Sequence, residues 1–400
     1  MVKTGIAGNH GDRIRSDCQV EIELQSSGGI KLDIQSRVYA LYGQSIRSLA
    51  LRMMEHFGIP DARILIRDSG ALEFVLAARI EAAVKKAISS DKEFLLPEVP
   101  AEFPGSEKGR FRFTRLYLPG NNPSMMLNAG IHNPDGVIMD LEDSVAPSMK
   151  DDARILVRNA LRVVDFYGAE RMVRINQLPD GLVDLDYCIP QLPDLILIPK
   201  VEDPGEIEAV DYKISEISSG KTVFLMPILE SALGIERAFE IASVSQNIVA
   251  MAIGLEDYTA DIGVQRTEEG SESLFARSRM VNACKAAGIQ AIDSVYSDAD
   301  NEAGLRESVK RSKAIGFEGM GCIHPRQIPV IREEFKPTSN EIERASAIVG
   351  AFEEAERRGL AVVSLGSKMI DPPVVKRAQR TLDLAKKMNM LSDHRRNGNE

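Results

Sequence analysis

Cysteine and histidine are scarce in this 400-residue sequence, with four and five copies respectively. Cys18, Cys188, Cys284 and Cys322 lie far apart and fit no metal-ligand spacing, and no Cys/His cluster occurs, which leaves zinc without ligands. Three of the thiols sit in apolar-rich segments and are expected to be buried; Cys18 does not share that setting. Unpaired thiols suit a reducing cytoplasm. Long apolar runs are missing, so no membrane-crossing helix is expected. Residues 1–13 have no apolar centre of the kind a secretory signal carries. Excess positive charge is missing too: the net charge is −10, which argues against nucleic acid or an anionic membrane as partner. Neither a Gly-x-Gly-x-x-Gly turn after an early strand nor a phosphate-binding P-loop is present, which weighs against a nucleotide-binding sheet.

What is present divides into two patterned regions. Residues 96–110 hold prolines, glycines and charges between them and are expected to form a linker. The region before it, residues 1–95, has the pattern of a small α+β domain. Val20–Leu24 and Ile30–Ile34 alternate apolar and polar, and Ser26-Ser27-Gly28-Gly29 between them predicts a hairpin. Helical periodicity runs from Tyr39 to His56 and stops at Gly58; Arg63–Arg67 predicts a strand and Leu72–Ile88 a second helix.

Beyond the linker, residues 111–335 contain eight short apolar runs, each followed by a helical pattern. They are Arg115–Leu118, Gly136–Met139, Met172–Ile175, Leu195–Ile198, Val223–Ile228, Ile248–Ile253, Ile289–Val295 and Gly321–Ile323. Unbroken hydrophobicity marks strands covered on both faces. Eight consecutive units predict a (β/α)8 TIM barrel within the α/β class. Residues 336–400 add two helices, near Asn340–Arg358 and Pro373–Met388.

The carboxyl ends of these runs carry polar residues: Asn121, then Asp140, Glu142 and Asp143, then Arg174, Lys200 and Glu202, Glu230, Glu256-Asp257, and His324. Barrel enzymes assemble their active sites on this rim. A single such residue is as readily a helix cap; together they predict a site. Glu230 and Asp257 can hold a hard cation through oxygens, and Arg174 is a fork for a carboxylate. Lys200 either contacts an anion or pairs with Glu202.

Several stretches carry a family resemblance: LYLPGNN (116–122), DLEDSVAPSMKDDAR (140–154), VRIN (173–176), IPKVE (198–202), ILESALGI (228–235), AIGLEDY (252–258) and SLGSKMIDPPVVKRA (364–378). From about Arg115 to Lys387 the chain resembles the β subunit of citrate lyase, within the citrate lyase/malyl-CoA lyase aldolase group. SDCQVEI (16–22), YGQSIRSLA (42–50) and DSGALEFVLAARIEAAV (68–84) are similar to the citrate lyase γ subunit, an acyl carrier protein.

The resemblance implies a Mg2+-dependent lyase that cleaves a citryl- or citramalyl-type thioester, held by CoA or a CoA-derived phosphopantetheine arm, to an acetyl thioester plus oxaloacetate or pyruvate. It implies Glu230 and Asp257 as metal ligands and Arg174 as binder of the substrate's carboxylate end. Asp140, Lys200 and Asn121 are expected to line the substrate. Glu142 and Asp143 are expected to orient metal-bound water and the arginine. Asp371 matches a lid aspartate that acts as acid/base from a neighbouring subunit of a trimer or hexamer, with the C-terminal helices as the lid. An acyl-transferase subunit is a further implied partner. Without the resemblance, Asp371 would be read as the N-cap of a helix opening on Pro372.

Two positions depart from the family pattern. The Arg-Ser pair usual before Leu-Tyr-x-Pro-Gly is Phe113-Thr114 here, flanked by Arg112 and Arg115. The serine that carries the prosthetic group aligns with Arg15, leaving Ser16 as the attachment candidate. A rival reading is a non-catalytic carrier or assembly subunit of a citrate lyase-type complex.

Overall fold

A computed structural model describes residues 3–98, 105–218, 220–357, 363–365 and 368–391. Part of the expected linker, residues 99–104, lies outside the described residues. Met1–Ile331 forms one compact unit and Arg332–Glu400 a second.

The first unit begins with β1 (Thr4–Gly8), β2 (Cys18–Leu24), β3 (Ile30–Ser36), α1 (Tyr39–Phe57), β4 (Ala62–Asp68) and α2 (Glu73–Ala87). Gly58 closes α1 in the left-handed conformation, φ 72°, as its position after the last apolar residue predicts. The expected β2–β3 hairpin does not form. The sheet order is β1-β2-β4-β3, with β4 antiparallel to β2 and parallel to β3. Burial explains this order: Ala62, Ile64 and Ile66 of β4 are fully buried, so β4 takes the centre. The Gly28-Gly29 turn, with both residues at positive φ, carries the chain past it, and Asp61 accepts a hydrogen bond from Gly29 N at 2.7 Å. Cys18, the thiol expected to differ from the others, is buried like them, because it begins an inner strand.

Eight parallel strands follow and close on themselves: β5 (Thr114–Pro119), β6 (Gly136–Asp140), β7 (Glu170–Arg174), β8 (Leu195–Ile198), β9 (Phe224–Leu229), β10 (Ala250–Ile253), β11 (Gln290–Asp293) and β12 (Gly319–Cys322). All eight predicted strands are present, and β12 pairs with β5 to seal the barrel. Helices surround it: α3 (Pro123–Asn128), α4 (Lys150–Val163), α5 (Gly181–Cys188), α6 (Pro204–Ile217), α7 (Ala232–Glu236), α8 (Ala238–Ser243), α9 (Leu255–Asp261), α10 (Leu274–Ala287), α11 (Glu302–Ile315) and α12 (Gln327–Phe335). Inside, Ile138, Met172, Leu195, Leu197, Phe224, Met226 and Ile228 fill one side, while β10 contributes only Ala250 and Ala252. At the amino-terminal end Arg112 is buried against Glu170, with hydrogen bonds of 2.8 and 2.7 Å.

The amino-terminal sheet is fastened to the barrel through α2. This helix is buried along most of its length, with β1 against it and α4 beside it. A Cβ on Gly5 would come within 1.9 Å of Ala83 O, so β1 and α2 are in backbone contact. Two charge pairs and one hydrogen bond to a backbone carbonyl cross from α2 to the barrel. Arg158 of α4 forks onto Glu81 at 3.0 and 2.7 Å, both side chains fully buried. Lys86 meets Asp152 at 2.7 Å. Arg79 forks onto Asp17 at 2.9 and 3.0 Å and donates to the carbonyl of Asn121, in the loop after β5, at 3.0 Å.

The second unit holds α13 (Ser339–Arg357), the antiparallel pair β13 (Val363–Leu365) and β14 (Lys368–Ile370), and α14 (Pro372–Lys387), packed on α13. The two helices are those the sequence predicts; the short ribbon is additional.

Without Glu81, buried Arg158 keeps, among the described residues, only the partly exposed Glu93 as counter-charge, at 2.9 Å. Glu81→Ala should therefore destabilise the protein by about 3–5 kcal/mol in urea denaturation, whereas the charge-free pair Glu81→Leu/Arg158→Met should recover much of that loss.

Candidate active site

The strand ends converge on a cavity of about 390 Å3 at the carboxyl-terminal mouth of the barrel. Its wall includes Tyr117, Asp140, Asp143, Arg174, Glu230 and Asp257.

Asp140 organises the first half. Gly120 crosses directly over it: Gly120 N donates to Asp140 O at 2.7 Å, and a Cβ there would lie 2.6 Å from that oxygen. Both carboxylate oxygens are engaged, Oδ1 by Glu142 N and Arg174 Nε, Oδ2 by Ser144 N and Arg174 Nη2. Burial alone would raise the Asp140 pKa, but the hydrogen bonds and charge of Arg174, with Ser144 and Glu142, hold it below the ordinary carboxylate range. Arg174 in turn stays firmly charged: burial opposes its charge, and Asp140 more than offsets that. Its remaining edge reaches Glu142 at 2.9 Å, and its guanidinium lies 5.4 Å from the centre of the Tyr117 ring.

Lys200 organises the second half. It is a non-glycine residue at φ 52°, a left-handed conformation that costs of order 1 kcal/mol. That turn lets its amide N donate to Glu230 Oε2 at 3.1 Å while Nζ donates to Glu142 Oε1 at 2.8 Å. Nζ also lies 3.4 Å from Asp143 and 3.9 Å from Asp257. Lys200 thus bridges acids of three strand ends, and Glu202 is not its partner in the pairs described. Burial raises Glu142, whereas Asp143 is lowered, first by its hydrogen bond with Glu142 and then by the charges of Arg174 and Lys200.

Glu230 is buried at the end of β9, and among the described residues no side-chain cation pairs with it. Gly254 makes room for it, since a Cβ there would lie 2.2 Å from Glu230 Oε1. Burial, reinforced by Asp257 and Glu142, pushes its pKa from 4.5 up to about 8. Asp257, half-exposed in the first turn of α9, shares the cavity wall with it. A buried carboxylate without a paired cation is costly, and oxygen donors with room for water suit a hard divalent ion. No group of three His, Cys, Asp or Glu is arranged for a metal among the described residues. Two carboxylates beside open space suit the needs of an ion such as Mg2+, which takes one or two carboxylates and keeps several waters. Glu230 is free of cap duty: Ser231 caps α7, accepting from Gly234 N at 3.1 Å.

The structure does not gather every expected residue here. Asn121 is absent from the cavity wall and engages Arg79 through its carbonyl. Glu142 and Lys200 stand behind the wall as connectors. Ser16, at φ 56°, lies in the amino-terminal sheet region, its N donating to Ser69 O at 3.1 Å, next to the buried Asp17–Arg79 pair. Asp371 belongs to the second unit, where it caps α14 by accepting from Val374 N at 3.2 Å, as its local sequence predicts. Asp293, at the end of β11, does border the cavity, with its carboxylate paired to Arg277 and Ser312. Three residues went unread in the sequence: Tyr117, Gly254 and Ser144. The alternation of β5 backwards from Pro119 would have put Tyr117 inside.

Residues 114–325 match the family model described as HpcH/HpaI aldolase/citrate lyase, and residues 3–87 match the ACP model described as malonate decarboxylase delta subunit (MdcD). Citrate lyase subunit beta of Haemophilus influenzae is 41% identical over 69% of this chain and 98% of its own. Human mitochondrial citramalyl-CoA lyase is 34% identical over 68% of this chain and 84% of its own. Among solved structures, CitE of Mycobacterium tuberculosis in complex with magnesium, acetoacetate and coenzyme A is similar at 27% identity and TM-score 0.59, covering 70% of this chain and all of that one.

The fold favours the protonated form of Glu230 in metal-free protein, so its stabilising contribution is complete below about pH 4.5 and is lost as pH climbs to about 8. In chelator, thermal stability should fall across that window, and Glu230→Gln should flatten the slope.

Proposed function

This chain belongs to the HpcH/HpaI aldolase/citrate lyase family, and on that premise we propose that it is a Mg2+-dependent carbon–carbon lyase acting on a citryl- or citramalyl-type thioester. The observation that carries the reading is the pairing of a carboxylate-clamped Arg174 with the uncompensated Glu230 in one cavity. A carrier or assembly subunit has no need of such a pair.

Glu230 and Asp257 hold the metal in this proposal. When bound, Mg2+ supplies a Lewis acid that polarises the keto-acid half. Arg174 binds the carboxylate of that half, with Asp140 fixing the plane of its fork. Glu142 and Asp143, tied to Lys200, orient the arginine and the water around the metal. The reaction removes the proton of the β-hydroxyl and breaks the bond between the carbinol carbon and the thioester α-carbon. The bond's electron pair passes into the acetyl-thioester enolate, which takes a proton on that carbon. Asp371, supplied by a neighbouring copy in a trimer or hexamer, is the proposed proton shuttle. The acyl group is carried by CoA or by a phosphopantetheine-type arm on Ser16, and an acyl-transferase subunit would reload such an arm. The magnesium and coenzyme A named in the similar CitE structure support this cofactor pair. No described helix is long and apolar enough to cross a membrane, and a cytoplasmic setting accords with four unpaired thiols.

Purified protein with Mg2+ should release keto acid from at least one of citryl-CoA, citramalyl-CoA and malyl-CoA; release from none overturns the reading. Asp371→Asn should cut turnover roughly 10²–10⁴-fold, the range typical of a lost acid–base group, while Mg2+ affinity measured by calorimetry stays unchanged. Intact-mass measurement of protein from its native host decides whether Ser16 carries an arm.

A further inference from the structure

One charged group on the cavity wall has no role in the chemistry above. Arg115, on β5, is 1% exposed and borders the same cavity as Arg174. Its nearest favourable charge is distant: Glu170 acts on it only at long range and is itself paired with Arg112. Nη1 donates to the thioether sulfur of Met226 at 3.0 Å, and the buried Nε has no hydrogen-bond partner. Among the described residues no carboxylate lies within ion-pair distance of it. The other large buried arginines of the first unit are different: Arg79 has Asp17, Arg112 has Glu170, and Arg158 has Glu81.

A guanidinium buried without a partner is costly, and burial works against its charge. A structural filler at this position needs no charge at all; methionine or leucine would pack beside Met226 and Ile228. The cavity reaches Arg115 because small residues line the adjacent strand β12 and the more distant strand β10. Gly321 stands at its register position on β12, and Ala252 faces inward from β10. A Cβ on Gly321 would lie 2.6 Å from Val295 Cγ1, so no side chain fits there to screen the guanidinium.

Arg115 and Arg174 stand at two levels of one cavity. Tyr117, two residues above Arg115 on the same face of β5, separates them, and the positive charge of both bears on its phenol. One arginine meets one carboxylate; two at different depths, the deeper one unpaired, match a diacid. We propose that Arg115 binds a second carboxylate on the keto-acid half of the substrate, so that this chain prefers a citryl-type thioester, yielding a four-carbon 2-oxo diacid, over a citramalyl-type thioester, which puts a methyl group there.

The inference rests on the lyase reading, and two assays separate the fates of the two ideas. The first is calorimetric binding of oxaloacetate and of pyruvate in Mg2+ to wild-type protein, Arg115→Met and Arg115→Lys. Arg115→Met should weaken oxaloacetate roughly tenfold to a hundredfold, as expected for a lost charge-assisted contact, and leave pyruvate unchanged; Arg115→Lys should recover part of the loss. The second is the ratio of kcat/KM for citryl-CoA over citramalyl-CoA, which should fall by a similar factor in Arg115→Met through loss of the citryl substrate alone. If both keto acids weaken together, or neither does, the specificity role is overturned while wild-type cleavage keeps the lyase reading. If wild-type protein cleaves neither thioester, the lyase reading falls, and the binding assay still decides whether Arg115 receives a carboxylate. Should Arg115→Met fail to fold, as thermal unfolding would reveal, Arg115→Lys and Arg115→Gln give the same comparison.

Discussion

The Asp140–Arg174 pair is the constraint on which the rest of the site hangs. Asp140 spends all its hydrogen-bonding capacity on one arginine and on the turn that follows β6. The arginine is then confined over Tyr117 with a single edge left for other contacts. Glu142 takes part of that edge and hands the connection to Lys200, whose left-handed backbone brings an amide to Glu230. The charged residues of four strand ends thus form one chain of contacts rather than separate ornaments of a rim. Within it, among the described residues, Glu230 alone is buried without a side-chain cation, which is the observation behind its proposed role as a metal ligand.

The barrel was legible because parallel strands buried on both faces must be apolar throughout, and helices must recur between them. That Glu230, Asp257 and Arg174 share one cavity wall is legible because strand ends of a barrel converge on one rim. Three things were not. The amino-terminal sheet order was misread, because local turn chemistry at Ser26–Gly29 says nothing about a later strand, β4, inserting between the two it joins. Lys200 was left between two partners, because a positive φ reverses where its side chain points, and no propensity announces that in a lysine. The contact between the Asn121 carbonyl and Arg79 is not legible, because Arg79 comes from another part of the fold. Each of these depends on contacts far apart in sequence.

Asp371 is a different case. Its capping geometry agrees with its local sequence and is complete without any catalytic duty. The capping role and the proposed acid/base role are compatible, since the cap uses one oxygen and a proton needs only the other.

The seam between α2 and α4 bears on what fusing a carrier-like sheet to a barrel achieves. A carrier on a flexible tether gains by search: it visits several stations, and the tether length sets how often it arrives. Here the buried Arg158–Glu81 pair and the Lys86–Asp152 pair fix the sheet against the barrel wall, and the Asp17–Arg79–Asn121 contacts run from the residue beside Ser16 to the first loop of the mouth. Such a mount surrenders travel and gains aim. For the proposed arm on Ser16, this means that its loading partner has to come to the barrel, because the sheet is fixed in place.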